Sequence, residues 1–192
     1  MADLYAAIRA EPEPERAWQL WRDTRAALFR SHPQSPIEPA ARAAHPGPRL
    51  YPYDPALRFA VTLRPPETAE VLELPAGADG AVVLDGFART EGLGEALGGE
   101  LVLYWMRGYG GGVFLPFADA TSGRETYGAG RYLLDTIKSA DLGRDGAGRT
   151  VLDFNFSYFP SCAYSPRYTC PLAPRGNRLP MAVRAGERLP EG

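Results

Sequence analysis

Hydrophobic residues recur along this chain with two different periods. Between residues 14 and 31, Trp18, Trp21, Leu28 and Phe29 fall at three-to-four-residue spacing, which predicts a helix with one apolar face. Pro14 suits the first turn, Glu13 and Glu15 sit where the positive end of the helix dipole favours them, and His32-Pro33 stops the element. Arg25 interrupts the apolar face one turn from both Trp21 and Phe29. From residue 57 onward the period drops to two: Phe59, Val61 and Leu63 alternate with Arg58, Ala60, Thr62 and Arg64, as in a half-buried strand. Similar runs cover about 70–74, 81–89, 100–107, 113–117, 130–134, 150–156 and 180–184.

Breaks fall at Pro65-Pro66, Pro75 to Gly80, Gly92 to Gly99 and Gly108 to Gly112. These connections are too short for helical crossovers between parallel strands, so the expected fold is mainly β: an antiparallel barrel or strongly curled sheet with the N-terminal helix packed against it. Between helix and sheet, residues 33–55 are rich in proline and alanine, which disfavours long regular elements, while Tyr51 and Tyr53 argue for an ordered strap over the domain. At 192 residues the whole chain, 1–192, reads as a single domain with its β part at 57–187.

Composition removes several classes of function. A net charge of -2 offers no field for nucleic acid, and no run of 18 apolar residues predicts a membrane span. The opening Met1-Ala2-Asp3-Leu4 lacks a basic segment followed by an apolar one, so a cytoplasmic location is expected. Lys138 is the only lysine and stands in no recognisable motif, which argues against Schiff-base or P-loop chemistry. Cys162 and Cys170 match no common zinc spacing, and the only histidines, His32 and His45, precede prolines in the strap. No metal and no cofactor are expected. In a reducing compartment two free thiols are the default, and no local motif marks Cys162 as a nucleophile.

The densest polar stretch runs from Phe114 to Tyr132 and holds Asp119, Thr121, Ser122, Arg124, Glu125, Thr126, Tyr127 and Arg131 among three glycines. Two readings stand side by side. Asp119 and Thr121 close an Asx-type turn and Arg131 pairs with Asp119 or Glu125 across a buried bend, or the same groups build an oriented pocket. A dinucleotide fingerprint is excluded, since Leu133 and Val113 stand where Gly128-Ala129-Gly130 and Gly108-Tyr109-Gly110 would need their third glycine. In a strand over 150–156, Leu152, Phe154 and Phe156 share one face while Asp153 and Asn155 share the other, either on an outer surface or as the polar wall of a barrel mouth. Arg25 either lays its stem over apolar surface or reaches inward, bidentate, to a carboxylate or an anionic ligand.

The combination Phe117-x-Asp119-x-Thr121-Ser122-Gly123-x-Glu125-Thr126-Tyr127-Gly128-x-Gly130-Arg131-Tyr132, then Asp153-Phe154-Asn155, Cys162-Ala163-Tyr164 and Cys170-Pro171-Leu172-x-Pro174-x-x-Asn177-x-Leu179, resembles the signature of domain-of-unknown-function family 1684. The similarity continues through Ala185-Gly186-Glu187 and takes in Trp21-Arg22-x-x-Arg25 and His32-Pro33-x-Ser35-Pro36. Phe159 departs from it, since relatives tend to place asparagine before the proline. The resemblance implies a relative without a known reaction.

Two functions remain from the sequence. One is a barrel that binds a small molecule, anionic or neutral, or an enzyme built on it that uses carboxylates and an arginine, with Asp119, Glu125, Tyr127, Arg131, Asp153, Asn155 and Arg25 as ligand-binding residues. The other is a non-catalytic protein-interaction module whose polar signature is structural and whose Tyr51-Pro52-Tyr53 strap meets a partner.

Overall fold

The computed structural model describes residues 1–68, 70–75, 81–108 and 110–190. The breaks expected over 76–80 and at Tyr109 lie outside them. Seven strands, β1 (Arg58–Arg64), β2 (Glu70–Pro75), β3 (Ala81–Glu91), β4 (Val102–Arg107), β5 (Gly112–Phe117), β6 (Arg131–Asp135) and β7 (Thr150–Asp153), form one antiparallel sheet. Its order is β6-β5-β4-β3-β1-β7, with β2 beside the first half of β3. The sheet curls into a nearly closed barrel. The seam between β6 and β7 is bridged where the Tyr132 and Tyr158 amides donate to each other's carbonyls at 2.9 and 3.0 Å.

Strand alternation sends neighbouring side chains into two cores. Leu101, Leu103, Leu115, Phe117, Leu133 and Leu152 join Val61 and Phe154 in one core, drawn from every strand along the path and enclosed by the curl. Tyr104, Met106, Phe114, Val82 and Leu84 face the other way, onto helices α1 (Ala2–Ala10) and α2 (Pro14–Ser31). Helix α2 has the bounds its periodicity predicts. It docks through Trp18 and Trp21, whose indole N–H groups donate to the Asn155 carbonyl (3.0 Å) and the Tyr5 hydroxyl (3.1 Å), while Leu28 is only half-buried. Helix α1 was not legible; it is short, and only Tyr5 and Ile8 are buried.

The strap carries one short helix, α3 (Pro39–Arg42), and crosses α2 closely: Gly47 has φ +99° and a Cβ there would stand 2.6 Å from the Ala26 methyl. A further short helix, α4 (Gly94–Leu97), joins β3 to β4.

Two expected strands need correction. β7 ends at Asp153, and Phe154–Phe156 is a 3-10 turn because the Asp153 carboxylate accepts the Asn155 amide and displaces the ladder. Phe154 and Phe156 therefore enter different cores. Residues 180–184 form no strand; side chains take up their backbone groups instead, as described below.

Trp21 is fully buried and stacks near Phe156 at 5.4 Å between ring centroids. Trp21→Ala is expected to lower the unfolding free energy in denaturant melts by about 3–5 kcal/mol, and a loss under half a kcal/mol would remove the docked-helix picture.

Candidate functional site

The polar signature begins where β5 ends. Asp119 Oδ1 accepts the Thr121 amide at 2.7 Å, an Asx-type turn, and Ser122 Oγ accepts the Asp119 amide at 3.1 Å. The Thr121 carbonyl takes the amides of Arg124, Glu125 and Thr126, and the Thr121 and Thr126 hydroxyls meet at 2.8 Å. Gly130, with φ +97°, closes the loop where a Cβ would strike the Phe117 carbonyl.

Arg131 follows at the start of β6, fully buried. Its Nη2 donates to Asp119 Oδ2 and to the Val183 carbonyl, both at 2.8 Å. Its Nη1 donates to the Ala185 carbonyl and, at 3.3 Å, to that of Glu187. Asp119 Oδ1 also accepts the Val183 amide at 3.3 Å. The pair thus clamps residues 183–187 with side chains, beside the backbone bonds that Gly186 and Glu187 make to Tyr51 and Ser157. Nε finds no partner among the described residues, and the guanidinium lies over the Phe117 ring at 5.0 Å. Burial pulls the Arg131 pKa down against the pull of Asp119, and the guanidinium stays charged.

Arg25 reaches inward. Its Nε and Nη2 both bond Glu187 Oε1, and its guanidinium sits over Trp21, Phe29 and Tyr158. Glu187 Oε2 accepts the Phe159 amide (2.7 Å) and the Tyr164 hydroxyl (2.8 Å), so this fully buried carboxylate is satisfied on every side. Glu187 was not singled out from the sequence as a site residue. The signal for it was the need of Arg25, on an apolar helix face, for an acidic partner.

The other sequence-chosen residues lie apart from this clamp. Glu125 is at the surface, held by Arg184 through two bonds of 2.8 Å and by the Tyr51 hydroxyl at 3.1 Å, and the Arg184 bonds keep its pKa low. Tyr127 rests its hydroxyl 3.8 Å from Cys162 Sγ. Asp153 accepts from the Asn155 backbone (3.0 Å) and side chain (2.8 Å), from the Tyr53 hydroxyl (3.3 Å), and faces Arg58 at 3.5 Å. Asn155 in turn exchanges hydrogen bonds with the Asp54 backbone at 2.9 and 2.8 Å. The structure therefore joins Asp119 to Arg131 and Asp153 to Asn155, but does not gather Asp119, Glu125, Arg131 and Asp153 into one cluster. Of the strap tyrosines, Tyr53 turns its hydroxyl inward to Asp153, while that of Tyr51 meets Glu125 at the surface.

Asp153 lines a concavity. A space of about 70 Å³ lies between the α1–α2 turn and the sheet, walled by Arg9, Glu11, Pro14, Arg58, Asp153 and Phe156 among others. A shallower depression of about 420 Å³ lies over Glu13, Glu15, Arg16 and Gln19. Neither is lined by Asp119, Glu125, Tyr127 or Arg131. No group of three or more His, Cys, Asp or Glu among the described residues could hold a metal ion, and no helix among them is long and apolar enough to cross a membrane.

Comparison with known proteins agrees with the signature. The family profile described as "Protein of unknown function (DUF1684)" matches residues 43–188. The solution NMR structure of the uncharacterized protein from gene locus rrnAC0354 of Haloarcula marismortui is 35% identical, with 91% of this chain and 94% of that one covered and a TM-score of 0.60. No curated protein matches.

Arg131→Ala strands the Asp119 carboxylate inside the fold and is expected to cost about 3–5 kcal/mol in denaturant melts. Burial raises the Asp153 pKa, against the pull of its hydrogen bonds and Arg58. The folded state then binds this proton more tightly than the unfolded chain, whose carboxyl titrates at about 3.9. The contribution of Asp153 to stability is full below that value and is lost as pH rises through the raised pKa. Melts of wild type and Asp153→Asn across this range are expected to show the wild type losing ground to the variant as pH rises.

Proposed function

This chain belongs to the DUF1684 family of proteins of unknown function, and from that premise we propose that it is a non-catalytic interaction module whose polar signature serves to hold the fold. The observation that carries this reading is the internal use of the buried signature charges. Asp119, Arg131, Arg25 and Glu187 are matched to one another and to backbone groups, which leaves little capacity for a ligand.

The contact surface in this reading is a bare stretch of sheet. The face of β4 that buries Leu103 continues to Trp105, which is 46% exposed. Register places Val71, Asp85, Trp105 and Val113 in one row across β2, β3, β4 and β5, with Phe87 at the β3 bulge. Val71 and Phe87 are 62% and 43% exposed, and the Asp85–Arg107 pair at 2.6 Å supplies a polar edge. Tryptophan and phenylalanine edged by arginine are the composition of protein contact surfaces.

A second reading keeps the small-molecule ligand. It is favoured by Asp153, a carboxyl of raised pKa facing Arg58 in a concavity with room for a few water molecules or one carboxylate-sized group. There Asn155 orients Asp153, while Arg25, Asp119, Glu125, Tyr127 and Arg131 lie outside that concavity and have no part in this reading.

A photo-crosslinking residue introduced at Trp105 in cells is expected to give one discrete heavier species, absent when the same residue replaces Arg16. Equal capture at both positions, or none, would sink the interaction reading. A metabolite that raises the melting midpoint of the wild type but not of Asp153→Asn would establish the ligand reading in its place.

A further inference from the structure

Two signature thiols take no part in either reading. Cys162 and Cys170 stand at the ends of a run of tight turns, in which the amides of Ala163, Tyr164, Ser165 and Tyr168 donate back to Pro160, Ser161, Ser161 and Ser165. These bonds double the chain from 162 to 170 back on itself, and Cys170 is near enough to Cys162 to add to the rise of its pKa. Cys162 also rests on a phenol: Tyr127 Oη lies 3.8 Å from its Sγ. Tyr132 donates to the carbonyl of Pro171, the residue after Cys170, at 2.6 Å. The Ala173 amide donates to the Ala129 carbonyl at 3.2 Å, which pins the Cys170 side of the turn to the signature loop. Both thiols are partly exposed, so a reagent in solution reaches them.

We propose that Cys162 and Cys170 are a redox modification site, a dithiol that closes reversibly to an intramolecular disulfide by exchange with small-molecule disulfides. One thiolate attacks a sulfur of the small disulfide, forming a mixed disulfide and releasing the first small thiolate. The second protein thiolate then attacks the protein sulfur of that mixed disulfide, forming the Cys162–Cys170 bond and releasing the second small thiolate. Both thiol protons pass to the released thiolates. The protein loses two electrons and the small disulfide gains them. Proximity favours the second step, because the resolving thiol is held beside the first by the turns and by Tyr127 and Tyr132. Burial pushes the Cys162 thiol up to about 11, with the nearby Cys170 adding to the rise, so exchange is slow near neutrality and accelerates as pH rises. The product locks the 162–170 turn over the signature loop, on the side where the tilted rings of Phe159 and Tyr127 lie 6.1 Å apart.

The native, reduced chain is incubated with oxidised glutathione, quenched with iodoacetamide, and analysed by intact mass and by gel without reductant. The expected product is a monomer lighter by two hydrogens that takes up no iodoacetamide and regains both thiols with dithiothreitol. Cys162→Ser and Cys170→Ser are each expected to stop at the glutathione mixed disulfide. A wild-type chain that keeps two alkylatable thiols, carries two separate glutathione adducts, or runs as a disulfide-linked dimer would overturn the proposal, whatever the variants do.

Discussion

The fold depends on one buried cation. Removing the Arg131 guanidinium from water carries a desolvation cost of several kcal/mol, which only a well-placed counter-charge and several acceptors can offset. Asp119 supplies the charge, and the carbonyls of Val183, Ala185 and Glu187 supply the acceptors. The interaction also decides topology: β6, the turn after β5 and residues 183–187 are required at one point inside the molecule. An extended segment that pairs with other backbone only at Gly186 and Glu187 is held along the rest of its length by these two side chains.

Arg25 and Glu187 act as a second hook on the same segment. Glu187 gives its backbone carbonyl to Arg131 and its carboxylate to Arg25, so one residue couples the barrel interior to helix α2. Glu187 also takes the Phe159 amide and Tyr164 hydroxyl, fixing the chain just past the seam. The two arginines lie on aromatic faces, Phe117 for one and Trp21, Phe29 and Tyr158 for the other, which lowers the cost of enclosing them. Polar groups that resemble a reaction centre in sequence are distributed here into two clamps and a pair of surface or strap contacts.

What was legible in the sequence follows physical range. Helix α2 and strands β1 to β6 come from local periodicity, and each strand lies within a few residues of its alternating run. The Asx turn at Asp119 and the approach of Arg131 are short-range chemistry and could be read from spacing. The run at 150–156 misled because alternation says nothing of a carboxylate that captures its own backbone two residues on. The run at 180–184 misled because its hydrogen bonds go to Arg131 and Asp119, more than 50 residues away in sequence. Glu187 as the partner of Arg25 required knowing that residues 162 apart meet, and no pattern within a window contains that.

This separation has a consequence during synthesis. Arg25 leaves the ribosome 162 residues ahead of Glu187, which at cellular elongation rates is an interval of roughly 8 to 30 s. For all of that time the face of α2 bearing Trp18, Trp21 and Phe29 lacks its carboxylate, and for most of it the Asn155 carbonyl to which Trp18 donates. A nascent chain with so large an uncovered aromatic surface is a substrate for chaperones that bind exposed apolar segments during translation.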